Sequence, residues 1–194
     1  SCRYGHAGID AALALRAEHG LRADEIEAVT LGLPRAGVIL IGQPAEKKAD
    51  PRNVVDGQFS GPFVIACALA TGAMSWDSYA LLQDAAVRSL LPKIRCELDP
   101  EIEAEFPANM SGKVTLRARG QTFAKKVVVP KGEPANFLTE AELRGKFHGL
   151  ADAVLGAERA ARLADAVLGV ARAGDVSALM RLATPLAATR LAGE

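Results

Sequence analysis

Charge of neither sign is in excess in this sequence. It contains 23 lysines and arginines against 23 aspartates and glutamates, so the formal net charge at pH 7 is zero. Binding to nucleic acids or membrane surfaces normally requires a basic excess, so this balance argues against both kinds of partner. No apolar run reaches the ~18 residues that a membrane-spanning helix needs. We therefore expect a protein without a membrane segment.

Cysteine is scarce, and the motifs of common cofactor sites are missing. The three cysteines lie far apart and form no Cys-x-x-Cys pair: Cys2, Cys67 and Cys96. This spacing favours reduced thiols over a disulfide framework, so we expect a cytoplasmic protein. Cysteine and histidine form no cluster with zinc-ligand spacing, and the sequence has no Gly-x-x-x-x-Gly-Lys loop. The motifs therefore predict neither a metal site nor a nucleotide site.

The first 136 residues contain short apolar segments, some with the pattern of strands and some with the pattern of helices. Four segments have the alternation of strands: 27–33, 94–98, 113–119 and 122–129. Three segments predict helices: 7–19, 59–71 and 80–91. Prolines and polar residues predict a long loop over 42–57, and Gly120-Gln121 is typical of a hairpin turn. We predict an α+β fold with an antiparallel sheet of about four strands and covering helices.

The composition changes near Thr139. Thr139 and Glu142 form a predicted capping box, and alanine and leucine dominate the sequence that follows. Three short helices are predicted there: 140–154, 157–171 and 175–183. We therefore divide the chain into an α+β domain, residues 1–136, and an all-helical tail, residues 137–194. The helices of the tail are apolar on more than one side, which predicts that they pack against another surface.

Four sequence segments, in a fixed order, carry a resemblance to a known family. The first is Cys2-Arg3-Tyr4-Gly5-His6 with Ile9-Asp10-Ala11, and the second is Asp56-Gly57-Gln58-Phe59-Ser60-Gly61-Pro62-Phe63. The third is Pro130-Lys131-Gly132-Glu133-Pro134 with Asn136. The fourth is Leu138-Thr139, Glu142-Leu143 and Lys146-Phe147. Together they resemble the MmgE/PrpD family, which includes 2-methylcitrate dehydratases, cis-aconitate decarboxylases and iminodisuccinate epimerases.

The resemblance implies a two-domain architecture for the whole protein. Members of the family have a large helical domain, built from the N-terminal half and the last helices, and a smaller α+β lid domain. The active site lies between the two. By this resemblance, the chain is the lid and the returning helices of a larger enzyme, and residues 137–194 would pack on an N-terminal helical domain. Phe63 stands where the family often has tyrosine, and Gly5 and Gly8 stand where bulkier residues are usual.

His6 and Arg3 are the candidate catalytic residues. The reactions of the family remove or move a proton beside a carboxylate, which requires a positioned base and a cationic group where negative charge develops. The reference pKa of histidine lies near neutrality, and the planar guanidinium of arginine suits a carboxylate. This chemistry requires no cofactor. The alternative is that His6 makes a local hydrogen bond and that Arg3 is a surface charge.

Other polar residues of these segments are predicted to have structural roles. Asp10 could orient His6, but an acid in a first helical turn is also stabilised by the helix dipole, and we favour the second interpretation. Cys2 has no identifiable base partner, and Ser60 is expected to be an N-cap. Lys131 and Glu133 are expected to form a turn or a domain contact.

The sequence leaves two candidate functions to be tested. The first is the C-terminal part of a lyase of the MmgE/PrpD type, a dehydratase, decarboxylase or epimerase related to propionate metabolism, that acts on a small polycarboxylate. The second is a non-catalytic α+β binding or assembly module with the same fold. We expect the 194-residue chain alone to be inactive and to form a homodimer or larger homo-oligomer through its tail.

Overall fold

The computed structural model describes residues 1–185. The chain divides into two compact units, of which the first is Ser1–Phe137 and the second begins at Leu138. Residues 186–194 of the predicted tail lie outside the described residues. None of the helices within 1–185 is long and apolar enough to cross a membrane.

The first unit contains a four-stranded sheet with the strand order β2-β1-β3-β4. The strands are β1 (Ile26–Leu33), β2 (Ile94–Leu98), β3 (Gly112–Ala118) and β4 (Gln121–Val127). The β1–β3 and β3–β4 pairs are antiparallel, whereas β1 and β2 pair in parallel, with Val29 opposite Ile94. The α+β fold class is confirmed. The expectation that every pair is antiparallel is wrong for β1–β2, because the long connection between them returns the chain to the same end of the sheet.

The hairpin between β3 and β4 turns one residue earlier than the sequence predicts. Arg119 (φ 54°) and Gly120 (φ 69°) are its two central residues. Positive φ at both positions gives the twist that a two-residue hairpin prefers. Arg119 can occupy this unusual conformation because its guanidinium donates to the carbonyl of Gly20 (2.9 Å) and pairs with Glu25 (2.6 Å).

Seven α-helical segments lie in the first unit. They are α1 (His6–His19), α2 (Arg35–Gly37), α3 (Ala45–Lys48), α4 (Val54–Gln58), α5 (Gly61–Thr71), α6 (Ala85–Leu90) and α7 (Pro100–Glu105). A π-helical turn, Val38–Gly42, follows α2. The predicted loop over 42–57 therefore contains the short helix α3 and most of α4, so describing it as an irregular loop is wrong. The predicted helices 7–19 and 59–71 are confirmed as α1 and α5.

The predicted helix 80–91 is interrupted. Trp76–Gln83 is a 3-10 stretch, and α6 starts anew at Ala85. The break occurs at Asp84, whose carboxylate accepts hydrogen bonds from the backbone N–H groups of Ala86 (2.9 Å) and Val87 (3.0 Å). An N-cap of this kind begins a helix and cannot lie within one.

The core of the first unit lies between the sheet and α1 with α5. Nine of the eleven residues of α5, from Gly61 to Leu69, are buried. The helix begins at Ser60, whose hydroxyl accepts from the N–H of Phe63 (3.0 Å), so the predicted N-cap is confirmed. The approach of α1 to β1 is closest at Gly8, where an added Cβ would lie 2.4 Å from Cδ1 of Leu31. Glycine therefore lets α1 cross the sheet at this distance without displacing Leu31.

In the part that the structure describes, the second unit contains helices and no strand. Its helices are α8 (Glu140–Leu155), α9 (Ala157–Leu168) and α10 (Ser177–Ala183). The capping box is confirmed, because the Thr139 hydroxyl accepts from the N–H of Glu142 (3.2 Å) and the Glu142 carboxylate accepts from the N–H of Thr139 (2.8 Å). A small apolar cluster forms around Leu155, Ala160 and Leu163. That these helices pack on a further helical domain stays a prediction.

Candidate active site

His6 is the first residue of α1 and follows a 3-10 turn, Arg3–Gly5. The turn is closed by a hydrogen bond from the N–H of Gly5 to the carbonyl of Cys2 (2.9 Å). Gly5 is buried, and an added Cβ would lie 3.3 Å from Cγ2 of Val64. The absence of a side chain at Gly5 thus lets the turn that precedes His6 lie directly against α5.

The imidazole of His6 is partly buried. Burial lowers the pKa of His6 below 6.5, because desolvation disfavours the charged form. A hydrogen bond with the backbone of Ser1 and the charge of Asp10 oppose this shift without cancelling it. The imidazole is therefore predominantly neutral at neutral pH, which is the state that can accept a proton.

Arg3 lies on the turn before His6 and forms an ion pair with Glu133. The Arg3 side chain is 53% exposed and that of Glu133 is 22% exposed. The sequence predicts Arg3 as a carboxylate-binding group, and in the structure it already contacts a carboxylate from a distant part of the chain. Glu133, which the sequence predicts to form a turn or a domain contact, is thus the partner of Arg3.

Asp10 is also in contact with the segment around Glu133. Its carboxylate accepts a hydrogen bond from the backbone N–H of Lys131 (2.7 Å). Because α1 begins at His6, Asp10 lies beyond the first helical turn. The interpretation of Asp10 as an acid stabilised by the helix dipole is therefore wrong, since the dipole effect is confined to the first turn.

Residues 130–136, which we call the 130–136 turn, form a compact, internally bonded loop after β4. The N–H of Gly132 donates to the carbonyl of Asn136 (2.9 Å), and the Asn136 side-chain amide donates to the carbonyl of Val129 (3.0 Å). Gly132 has φ of 99°, a conformation that favours glycine. The glycine and asparagine of the third segment are therefore needed to form the turn. The sequence analysis did not assign Asn136 a role.

Three of the four family-like segments meet at the start of α1. The N–H of Cys2 donates to the carbonyl of Gln58 (2.8 Å), which joins the first segment to the second. Arg3 and Asp10 join the first segment to the third. Tyr4, which sequence reasoning passed over, packs its ring 6.1 Å from that of Phe106. The sequence could have pointed to Tyr4 only through its position between the two candidate residues, Arg3 and His6.

The three cysteines are free thiols. Burial raises the pKa of Cys67 and of Cys96 to about 12. Within residues 1–185, no group of three or more histidine, cysteine, aspartate or glutamate residues has a geometry that could hold a metal ion.

Comparison with known proteins gives the class of this chain. The family model of the MmgE/PrpD C-terminal domain matches residues 1–171, so the chain belongs to the MmgE/PrpD family. The predicted resemblance is confirmed. The chain is also 30% identical over 137 residues to a cis-aconitate decarboxylase-like protein of Aspergillus oryzae. That alignment covers 68% of this chain and 28% of the relative, so the chain spans less than a third of the relative's length.

Proposed function

We propose that this chain is the C-terminal part of a lyase that abstracts a proton next to a carboxylate of a small polycarboxylic acid. Membership of the MmgE/PrpD family and the relative described as cis-aconitate decarboxylase-like support this class of substrate. The observation that carries the proposal is His6, a partly buried histidine with a lowered pKa at the start of α1, within the first family-like segment.

His6 is the proposed general acid–base residue. A proton on carbon beside a carboxylate is weakly acidic, so its removal needs a base that is neutral before the reaction and held in place. The lowered pKa of His6 provides the neutral form, and its position at the first residue of a packed helix restricts its movement. After abstraction, the imidazolium can return the proton to a leaving group or to the product.

Arg3 is the proposed carboxylate-binding residue. A guanidinium has five N–H donors in a planar fork, and its contact with Glu133 joins one terminal nitrogen to one carboxylate oxygen. Positive charge at the substrate carboxylate stabilises the negative charge that develops when the neighbouring carbon loses its proton. In the proposal, residues of a preceding domain supply the opposite wall of the site.

One observation favours the second candidate, a non-catalytic binding or assembly module. Arg3 and Asp10 both contact the 130–136 turn, so two of the polar side chains around His6 already have partners within the fold. A purely structural role for the first segment would need no more than these contacts. The two candidates therefore differ in what they require of His6.

Steady-state kinetics of the complete natural protein distinguishes them. We expect turnover of cis-aconitate, 2-methylcitrate or a related acid, and a fall in kcat of ~10²–10⁴ in His6→Ala, the usual worth of a general acid or base. The melting temperature should change little, because His6 is only partly buried. The matched control is His19→Ala, at the exposed opposite end of α1. Unchanged kcat in His6→Ala would favour the module.

The same proposal makes a statement about the 194-residue chain by itself. Without the groups of a preceding domain, it should not turn over these acids at a useful rate, because a base without its opposing binding groups loses orientation and preorganised electrostatics. Ready turnover by the bare chain would show that the chemistry has been assigned to the wrong residues.

A further inference from the structure

The 130–136 turn is held to the start of α1 at two points. Asp10 accepts from the backbone N–H of Lys131 (2.7 Å), and Glu133 pairs with Arg3. Lys131 and Glu133 lie on either side of Gly132, whose N–H is bonded to the carbonyl of Asn136 (2.9 Å). The contacts therefore connect an internally hydrogen-bonded loop, and not a single side chain, to the residues beside His6.

The two partners of the Arg3–Glu133 pair differ in how firmly they are held. Glu133 is the more buried, and its backbone is bonded on both sides: its N–H donates to the carbonyl of Pro130 (3.3 Å), and its carbonyl accepts from the N–H of Asn136 (2.9 Å). Arg3 is half-exposed and its long side chain has many rotamers, whose loss on binding is costly. Glu133 is thus the fixed member of the pair.

We propose that Glu133 is a positioning residue for Arg3. This inference rests on the proposed function. The carboxylate of Glu133 holds the guanidinium of Arg3 beside His6 before substrate binds, and Asp10 holds the turn that carries Glu133. Because the guanidinium fork has donors on more than one edge, Arg3 can keep its contact with Glu133 and bind a substrate carboxylate at the same time. The advantage is preorganisation: the entropy of ordering Arg3 is lost on folding and not on binding.

This role depends on where the Glu133 side chain holds the guanidinium of Arg3 and not on the negative charge that Glu133 adds to the site. A carboxylate near the binding site repels an anionic substrate, so charge alone would weaken binding. Glu133→Gln keeps an oxygen acceptor of the same length and removes the charge, whereas Glu133→Ala removes both. A positioning role therefore predicts that alanine impairs binding and that glutamine restores it.

The test is calorimetric binding of tricarballylate, an unreactive tricarboxylate, to the complete natural protein. We expect Glu133→Ala to raise Kd about tenfold, near the upper end of the cost of ordering one long side chain on binding. Glu133→Gln, whose amide oxygen can still contact the guanidinium, should stay within about threefold of the wild type. In an Arg3→Met background, Glu133→Ala should have no further effect. The matched control is Glu27→Ala, which removes a carboxylate paired with Arg117 (2.7 Å) at the opposite end of the sheet and should leave Kd unchanged.

Three results would overturn the proposal: wild-type affinity in Glu133→Ala, equal loss in Glu133→Gln and Glu133→Ala, or the same loss with and without Arg3. Failure of the proposed function has a different signature, because the wild-type protein itself would then bind no tricarballylate. In that case, amide hydrogen exchange at residues 131–136 tests whether the contact between Arg3 and Glu133 holds the turn in place. Faster exchange of equal size in Glu133→Ala and Arg3→Met supports it, and unchanged exchange in both overturns it.

Discussion

The carboxylate of Asp10 accepts a hydrogen bond from the backbone N–H of Lys131, 121 residues further along the chain. This bond fixes the loop that follows the sheet against the helix that carries His6. Removing it should leave the N–H of Lys131 without its carboxylate acceptor. We expect Asp10→Ala to lower the free energy of unfolding by about 1.5 kcal/mol, the low end of the range for a hydrogen bond to a charged group, because this bond is exposed.

Urea unfolding measures this loss. The matched control is Asp24→Ala, since Asp24 pairs only with Arg22 on an exposed turn and should contribute little. Equal unfolding midpoints for Asp10→Ala and the wild type would show that the bond does not stabilise the fold.

Gly8 should not tolerate a side chain. In Gly8→Ala the new Cβ would lie 2.4 Å from Cδ1 of Leu31, a fully buried residue of β1. Overpacking of this kind costs about 1–3 kcal/mol, which exceeds the ~1 kcal/mol that alanine gains over glycine in a helix. We therefore expect net destabilisation in chemical denaturation. Gly145→Ala, in the exposed part of α8 with open space around it, should instead be neutral or stabilising.

His6 should make stability depend on pH in the acidic range. The unfolded chain takes up a proton near pH 6.5, whereas the folded chain does so only at lower pH, because burial lowers the pKa of His6. The unfolded state therefore binds more protons in this window, and stability falls as the pH drops below 6.5 towards the folded pKa. Unfolding midpoints at pH 7.5 and 5.5 should differ less in His6→Gln than in the wild type. His19→Gln, which leaves His6 in place, should keep the full difference.

One thiol should react much faster than the other two. With a pKa of about 12, Cys67 and Cys96 have a thiolate fraction of roughly 10⁻⁴ at pH 8. Cys2 and Cys96 are both partly exposed, but the raised pKa of Cys96 keeps its thiol protonated. Cys2 should therefore account for a single fast equivalent with a chromogenic disulfide reagent. Cys2→Ser should abolish the fast phase, and denaturant should restore reaction at the remaining two thiols. A fast equivalent that survives in Cys2→Ser would contradict this assignment.

The tail should mediate self-association of the isolated chain. In the second unit, an open apolar cavity of about 200 Å³ lies between α8 and α9, lined by residues that include Leu143, Phe147 and Val167. Uncovered apolar surface of this kind favours an interface. We expect light scattering to show a homodimer or larger assembly with residues 140–185 at or near the contact.

Val167→Glu should weaken this assembly, because it places a charge on the apolar cavity. Ala157→Glu adds the same side chain at the exposed start of α9 and should have no such effect. A clean monomer with a folded tail would count against the prediction.

The parts of the fold that depend on local sequence were predictable. The alternation of Val114, Leu116 and Ala118 predicts one buried face of β3, and all three are buried. Ser60 and Pro62 predict the start of α5 because capping and first-turn proline act within a few residues. The parallel β1–β2 pair was not predictable in this way, since it depends on where a connection of some sixty residues returns the chain.

In the candidate site, too, the local features were predictable from the sequence and the long-range contacts were not. His6 and Arg3 are identified from a short motif, so the sequence brings them into consideration without any structure. Their neighbours are different: Glu133 and the N–H of Lys131 reach α1 from more than a hundred positions away. No local periodicity encodes such a contact, which arises because β4 pairs antiparallel with β3 and so returns the chain to the end of the sheet where Gly112 lies against the start of α1. The role of Asp10 was misjudged for this reason.

The place of β1 in the sheet has a consequence for synthesis on the ribosome. β1 is flanked by β2 on one edge and by β3 on the other, and β2 is made first. Until residues 112–118 have emerged, a nascent chain has one edge of β1 without its partner strand, and an open edge is a template for pairing with other chains. Fragments that end before Gly112 should therefore aggregate during expression, whereas fragments that extend through β4 should not.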